Sequence, residues 1–134
     1  MFDLNGTLAT DGIIPPAVVE ALKALNTILP VHILTAGTHG RLEEVARATG
    51  ITPTLITDGR DKARHVRALD PAVAVGNGRN DVPMFRAARL AVAVIGTEGV
   101  NVSCLAAADI VVHSGLEAID LLRFPQRLVA TLRP

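Results

Sequence analysis

The sequence predicts an α/β fold, a three-layer sandwich on a Rossmann-like, mainly parallel sheet. Three observations predict it. Short apolar runs such as Ala72–Val75 and Ala91–Ile95 alternate with longer stretches whose apolar residues recur every three or four positions. Those runs contain no polar residue, as in strands covered on both faces, and strands alternating with helices at this spacing make parallel sheets. Finally, the 134 residues contain no linker-like stretch, repeat or low-complexity segment, so residues 1–134 are expected to form one domain.

Composition narrows the function. At 49% hydrophobic the chain can bury a real core, but with three Phe and no Trp or Tyr that core is aliphatic. Scarce aromatics count against stacking recognition of single-stranded nucleic acid. Thirteen basic and thirteen acidic residues cancel, which leaves no net electrostatic footprint for nucleic acid or an anionic membrane. A single cysteine, Cys104, forms no internal disulfide and is expected to be a small buried hydrophobe beside Leu105 and Ala106. With no signal peptide and no apolar run of membrane-spanning length, the expected compartment is the cytoplasm.

Each element follows in order. Met1 and Phe2 lead Asp3 to the end of a first strand, which looks clipped and suggests that the natural chain begins upstream. Leu8 to Ile14 holds the turn signal Asp11-Gly12, expected as a small flap. Pro15-Pro16 opens a helix with the stripe Val18, Val19, Leu22 and Leu25. Val31–Leu34 is a second strand finishing at Thr35-Ala36-Gly37, and Thr38 is expected to cap a helix carrying Leu42, Val45 and Ala46 and closed by Gly50. Thr54–Ile56 is a weaker third strand, followed by the turn Asp58-Gly59 and a helix from Arg60 to Leu69. Ala72–Val75 is a fourth strand, Gly76–Asp81 a loop, and Val82–Ala88 a helix that tolerates Pro83 in its first turn. Ala91–Ile95 is a fifth strand, Val100–Ala107 a helix and Asp109–Val112 a short sixth strand. Ser114 and Glu117 make a capping box for a helix to Leu122, and Pro125 starts the last helix, Gln126 to Leu132.

Four polar sites fall at the ends of successive strand–helix units: Asp3, Thr35, Lys62 and Asn77–Asp81. In a parallel sheet those ends share one edge, where open α/β sheets keep their chemistry. The residue types are complementary. A carboxylate attacks phosphorus or holds Mg²⁺, a hydroxyl and a lysine hold phosphoryl oxygens, and Asn or Asp completes an oxygen site. Asp3 and Gly76–Asp81 are also ordinary turn chemistry, Thr35 an ordinary strand end and Lys62 an ordinary helix lysine, so their joint order carries the inference. His32, His39, His65 and His113 lack metal-ligand spacing, and only His39 is placed near the cleft mouth.

In that order Asp3-Leu4-Asn5-Gly6-Thr7, Thr35, Lys62 and Gly76-Asn77-Gly78-Arg79-Asn80-Asp81 resemble the motifs of haloacid-dehalogenase-superfamily phosphohydrolases. The likeness is closest to the phosphorylation domain of P-type ATPases and their small soluble relatives. It implies an uncapped hydrolase in which Asp3 forms an aspartyl-phosphate from a phosphorylated substrate or ATP. It further implies phosphate contacts from Leu4, Asn5, Thr35, Ala36, Gly37, Lys62 and Asn80, and Mg²⁺ held by Asp3, the Asn5 carbonyl, Asn77 and Asp81. Asn5, Thr35 and Lys62 would join Asp3 as catalytic residues.

Two departures shape the expected activity. Asn5 stands where the superfamily's phosphatases carry an acid–base aspartate, help that is worth roughly 10²–10⁴ in rate. Phosphoenzyme breakdown is therefore expected to be slow. Asn77 replaces a metal-binding carboxylate, which lowers the expected Mg²⁺ affinity. Both favour the alternative of a catalytically degenerate, phosphate-binding regulatory module. A phosphoreceiver domain is disfavoured because the acceptor lies on the first strand. The segments Leu8–Leu34 and Ala63–Val75 are filled by core elements and leave no room for a cap, so a bulky substrate or a second copy in a homo-oligomer is expected to cover the cleft.

Overall fold

In the computed structural model, which describes residues 1–134, β1 (Phe2–Asp3) is followed by a flap and α1 (Pro16–Asn26). Next come β2 (Ile33–Thr35), α2 (Leu42–Thr49), β3 (Thr54–Leu55) and α3 (Gly59–Ala68). β4 (Val73–Gly76) leads through one 3₁₀ turn (Arg79–Asp81) into α4 (Val82–Ala87). β5 (Leu90–Val94), α5 (Val102–Ala106), β6 (Ile110–Val112), α6 (Gly115–Arg123) and α7 (Gln126–Leu132) complete the chain.

The six strands form one sheet in the order β3-β2-β1-β4-β5-β6, and every neighbouring pair is parallel. The chain winds outward from β1 to β3, crosses back to β4 and winds outward the other way. The order therefore reverses between β1 and β4, and ligand crevices open at the carboxyl ends of strands at such a switch point. Asp3, at the end of β1, stands at that point with Phe2 paired to both Ile33 and Val75.

Strand alternation divides the core in two. Ile33, Val75 and Val92 point to one face and pack with Leu22, Leu25 and Ile119 of α1 and α6. Leu34, Ala74 and Ala93 point to the other and pack with Val66, Met84 and Phe85 of α3 and α4. Cys104 is fully buried in that second layer, as a small hydrophobe. No helix is long and apolar enough to cross a membrane.

The turn chemistry settles several local details. Asp11 (φ 51°) and Gly12 (φ 77°) both adopt left-handed conformations, and Thr10 and Ile13 exchange both main-chain hydrogen bonds (3.0 and 2.9 Å). This two-residue turn forms the tip of the expected flap. Pro16 sits in the first turn of α1 as expected. Thr38 does not cap α2. Gly37 and Gly40 both take positive φ, a 3.1 Å turn closes between them, and the helix starts later, at Leu42, with Glu43 and Glu44 in its first turn against the helix dipole. Asp58, expected as a turn residue, is the cap of α3: its carboxylate accepts from the Arg60 and Asp61 amides at 2.8 and 2.9 Å. At α6 the reciprocal cap is displaced by one residue. Ser114 accepts from the Glu117 amide, while the Glu117 carboxylate takes the His113 amide at 2.7 Å.

Candidate active site

Four separate elements bring their polar residues to one place. The Asp58 cap starts α3 where Lys62 falls on its inner face, with Ala63 and Val66 on the same stripe. Lys62 runs beneath the sheet edge and its Nζ meets Asp3 Oδ1 at 2.5 Å and Asp81 Oδ1 at 2.6 Å. Lys62 and Asp81 are fully buried and Asp3 is 7% exposed, so the ion triad is largely shielded from water. Asp81 also folds the loop after β4: its Oδ2 accepts from the Asn77 and Gly78 amides at 3.0 and 2.8 Å. A Cβ on Gly76 would come within 2.5 Å of that carboxylate, which is why a glycine ends β4.

Electrostatics follow from the count. Two carboxylates share one ammonium, leaving one excess negative charge in a medium of low polarity. Burial pushes the Asp3 carboxyl up, repulsion from Asp81 pushes it further, and Lys62 only partly offsets them, for a value of about 7. Burial pulls the Lys62 ammonium down, but the charges and hydrogen bonds of Asp3 and Asp81 outweigh it and the net shift is upward. Lys62 therefore stays charged. Burial, then Asp81 and Asp3, push the neighbouring Cys104 thiol up to about 12, which removes it as a neutral-pH nucleophile.

The remaining predicted residues divide. Thr35 is buried at the end of β2, where its Oγ1 accepts from the Gly37 amide at 3.1 Å and lies 3.5 Å from Asn5 Nδ2. The Gly37 amide is thus engaged, while the Asn5 and Ala36 amides donate to no protein acceptor and remain open to an anion. Leu4, Asn5, Thr35 and Gly37 line a pocket of ≈ 10 Å³ together with Gly12, His39 and Arg41. Such a volume holds about one water. Asn80 does not join them: it is exposed, its side-chain oxygen folds over Gly78, and no hydrogen bond ties it to Asp3, Thr35 or Lys62.

The oxygen donors fit a small hard cation. Asn77 Nδ2 donates to the Gly99 carbonyl at 3.0 Å, which fixes the amide with Oδ1 turned towards Thr7. The Thr7 hydroxyl lies 3.2 Å from that oxygen and 3.3 Å from Asp3 Oδ2. One hydroxyl carries one proton, so it cannot serve both acceptors at full strength. Asn5 Oδ1 is buried without a partner, and the Asn5 main-chain carbonyl accepts no hydrogen bond. Together with the excess charge these under-used oxygens match Mg²⁺, which takes one or two carboxylates and keeps several waters. Asp81 differs from the expected ligand: it is fully buried and both its oxygens are bonded within the protein.

The sequence marks neither Thr7 nor Gly99 as a site residue. Thr7 at least stands inside the first motif. Gly99 has no signal in the sequence, because it acts through its main chain.

No family model matches the chain. It is 43% identical over 61 residues to an uncharacterised protein of Methanocaldococcus jannaschii, a match covering 46% of this chain and 66% of that one. It is 28% identical over 129 residues, 90% of its length, to a soluble P-type ATPase-like phosphatase of the same organism, covering 47% of that protein. The chain thus spans about half to two thirds of these relatives. A solved 3-deoxy-D-manno-octulosonate 8-phosphate phosphatase from Moraxella catarrhalis, in complex with magnesium, phosphate and its sugar acid, matches with a TM-score of 0.74 and 16% identity. That match covers 98% of this chain and 91% of the phosphatase. The chain therefore has the fold of solved hydrolases of the haloacid dehalogenase (HAD) superfamily, at 16–22% identity. Within that superfamily's fold, Asp3 occupies the end of the central strand, and Thr35, Lys62 and Asn77 surround it from β2, α3 and the loop after β4.

Proposed function

We propose that the protein is a Mg²⁺-dependent phosphohydrolase of the P-type ATPase-like kind, working through an aspartyl-phosphate on Asp3 with slow turnover. The observation that carries this reading is the gathering of Asp3, Lys62, Thr35 and the free Asn5 and Ala36 amides at the switch point of the sheet. An Asp3 oxygen attacks phosphorus, the bond to the substrate oxygen breaks, and water later displaces the Asp3 oxygen to release inorganic phosphate. Lys62 balances negative charge on Asp3 and on the arriving phosphoryl oxygens, and the amides orient those oxygens. Asp81 holds Lys62 and the Asn77–Gly78 turn in position. The Asp3 carboxylate, the Asn5 carbonyl and Asn77 Oδ1 would hold Mg²⁺, which neutralises phosphoryl charge when bound. The Asn5 amide exchanges no proton at neutral pH, so it contributes position but no acid–base help.

The experiment is trapping. Protein incubated with Mg²⁺ and acetyl phosphate, p-nitrophenyl phosphate or ATP is quenched in acid, and the Asp3 peptide is examined for one added phosphoryl group. Asp3→Ala is the control. No label from any donor rejects the enzyme reading. The Asn5 and Asn77 replacements favour the second reading, a phosphate-binding regulatory module, and phosphate binding without labelling of Asp3 would select it.

A further inference from the structure

We infer that His39 is the proton-exchanging group of this site and supplies what Asn5 lacks, an inference that rests on the aspartyl-phosphate reading. His39, an exposed residue of the loop after β2, lines the same small pocket as Leu4, Asn5 and Thr35. Leu4, Asn5 and Thr35 are residues that the aspartyl-phosphate reading puts around the phosphoryl group, so a side chain lining the same pocket faces that group. The flap holds His39 there. A Cβ on Gly12 would lie 2.7 Å from the His39 Cβ and 3.0 Å from its Cγ, so only glycine at the flap tip admits the residue. Of the side chains on this pocket, histidine alone readily exchanges a proton near neutral pH.

The other histidines are elsewhere. His32 lines an apolar cavity at the opposite edge of the sheet with Met1 and Leu69. His65 lies 3.9 Å from Asp61 on the outside of α3. His113 borders the groove on the far flank of the flap. The charged groups on the elements beside His39 are Arg41 on its own loop, itself 3.7 Å from Glu44, and Asp11 on the flap with Glu98 on its amide.

The balance closes. As the Asp3 oxygen–phosphorus bond forms and the substrate oxygen–phosphorus bond breaks, the leaving oxygen takes a proton from the His39 imidazolium. As water attacks, the neutral ring takes its proton, the Asp3–phosphorus bond breaks, and inorganic phosphate leaves with the imidazolium restored. Because His39 sits on a loop and not on the strand that bears Asp3, the transfer is less well fixed than one from a carboxylate at position 5. Slow turnover is compatible with it.

The test labels full-length protein with acetyl phosphate and Mg²⁺, removes the donor, and follows loss of phosphate from Asp3 between pH 5 and 8. In the wild type the rate of loss depends on pH. In His39→Gln it falls by about 10²-fold or more and becomes flat with pH, the loss expected for general base help. Free imidazole restores the rate in His39→Gly, which a displaced loop alone would not allow. His113→Gln is the control and keeps the wild-type rate. Label that is lost from His39→Gln at the wild-type rate and with the wild-type pH profile overturns the role of His39 and leaves the aspartyl-phosphate reading standing. Absence of label on wild-type Asp3 overturns both.

Discussion

Replacing Lys62 by Met tests the centre of the site without touching its shape, since Met fills nearly the volume of the lysine stem. Lys62 joins Asp3 and Asp81 at 2.5 and 2.6 Å with no exposure of its own. Breaking a buried ion pair costs about 3–5 kcal/mol, because a charge is left without a partner. Here two carboxylates are stranded together, so the folded variant takes up protons to relieve the repulsion. It then binds more protons than its unfolded chain, and stability falls as pH rises. Urea unfolding of metal-free protein at pH 8 should show a loss of about 3–5 kcal/mol relative to wild type, out of a total of ~5–15 kcal/mol for a domain. At pH 5 the loss should shrink by at least half. A loss below about 1 kcal/mol at both pH values, or one that does not change with pH, would refute the reasoning.

Four more outcomes follow from the same geometry. The Asp3 carboxyl is raised to about 7 from an unfolded value of 3.8, so its charging opposes folding. Stability should decline by a few kcal/mol between about pH 4 and 7, at most ~1.4 kcal/mol per unit, and Asp3→Asn should remove that part of the slope in urea titrations. Mg²⁺ should stabilise the wild type more at pH 8 than at pH 5, which a thermal-shift series reads directly. Gly6→Ala meets both a φ of 77° and an Asn77 Nδ2 only 2.2 Å from the new Cβ. It should cost roughly 1–2 kcal/mol from backbone strain alone and weaken Mg²⁺ binding in calorimetry as Asn77 is displaced. Asn77→Asp exchanges the donor that meets the Gly99 carbonyl for an acceptor. The metal-free protein should lose about 1–3 kcal/mol, while its gain on adding Mg²⁺ exceeds that of the wild type.

Much of this was legible because local chemistry and tertiary placement agree. Asp11-Gly12 demanded a turn with two positive φ angles, Pro16 a helix start and Ser114 a cap, and the structure contains each. The convergence of Asp3, Thr35 and Lys62 was legible because a parallel sheet turns sequence order into a shared edge. What stayed hidden depends on partners remote in sequence. Thr38 has the right side chain for a cap, but two left-handed glycines carry the chain past it. Asp81 is a plausible metal ligand by motif, yet its oxygens turn inward to Lys62 and the Asn77–Gly78 amides. The β3 strand is weak in sequence and exposed in the fold, at the sheet edge, where no second layer presses on it.

The short run after β5 has one further consequence. Thr97 Oγ1 lies 3.0 Å from Thr10 Oγ1 and Glu98 accepts the Asp11 amide at 2.8 Å, both on the flap. In the same run Gly99 holds the Asn77 side chain, and Asn101 donates its amide to the Asn77 carbonyl at 2.8 Å. This run is a crossbar between the flap tip and the amide oxygen of Asn77. On the proposed function, a ligand that displaced the tip would pull on the same few peptide units that aim Asn77, so entry of the phosphorylated group and the hold on Mg²⁺ would be coupled through this run.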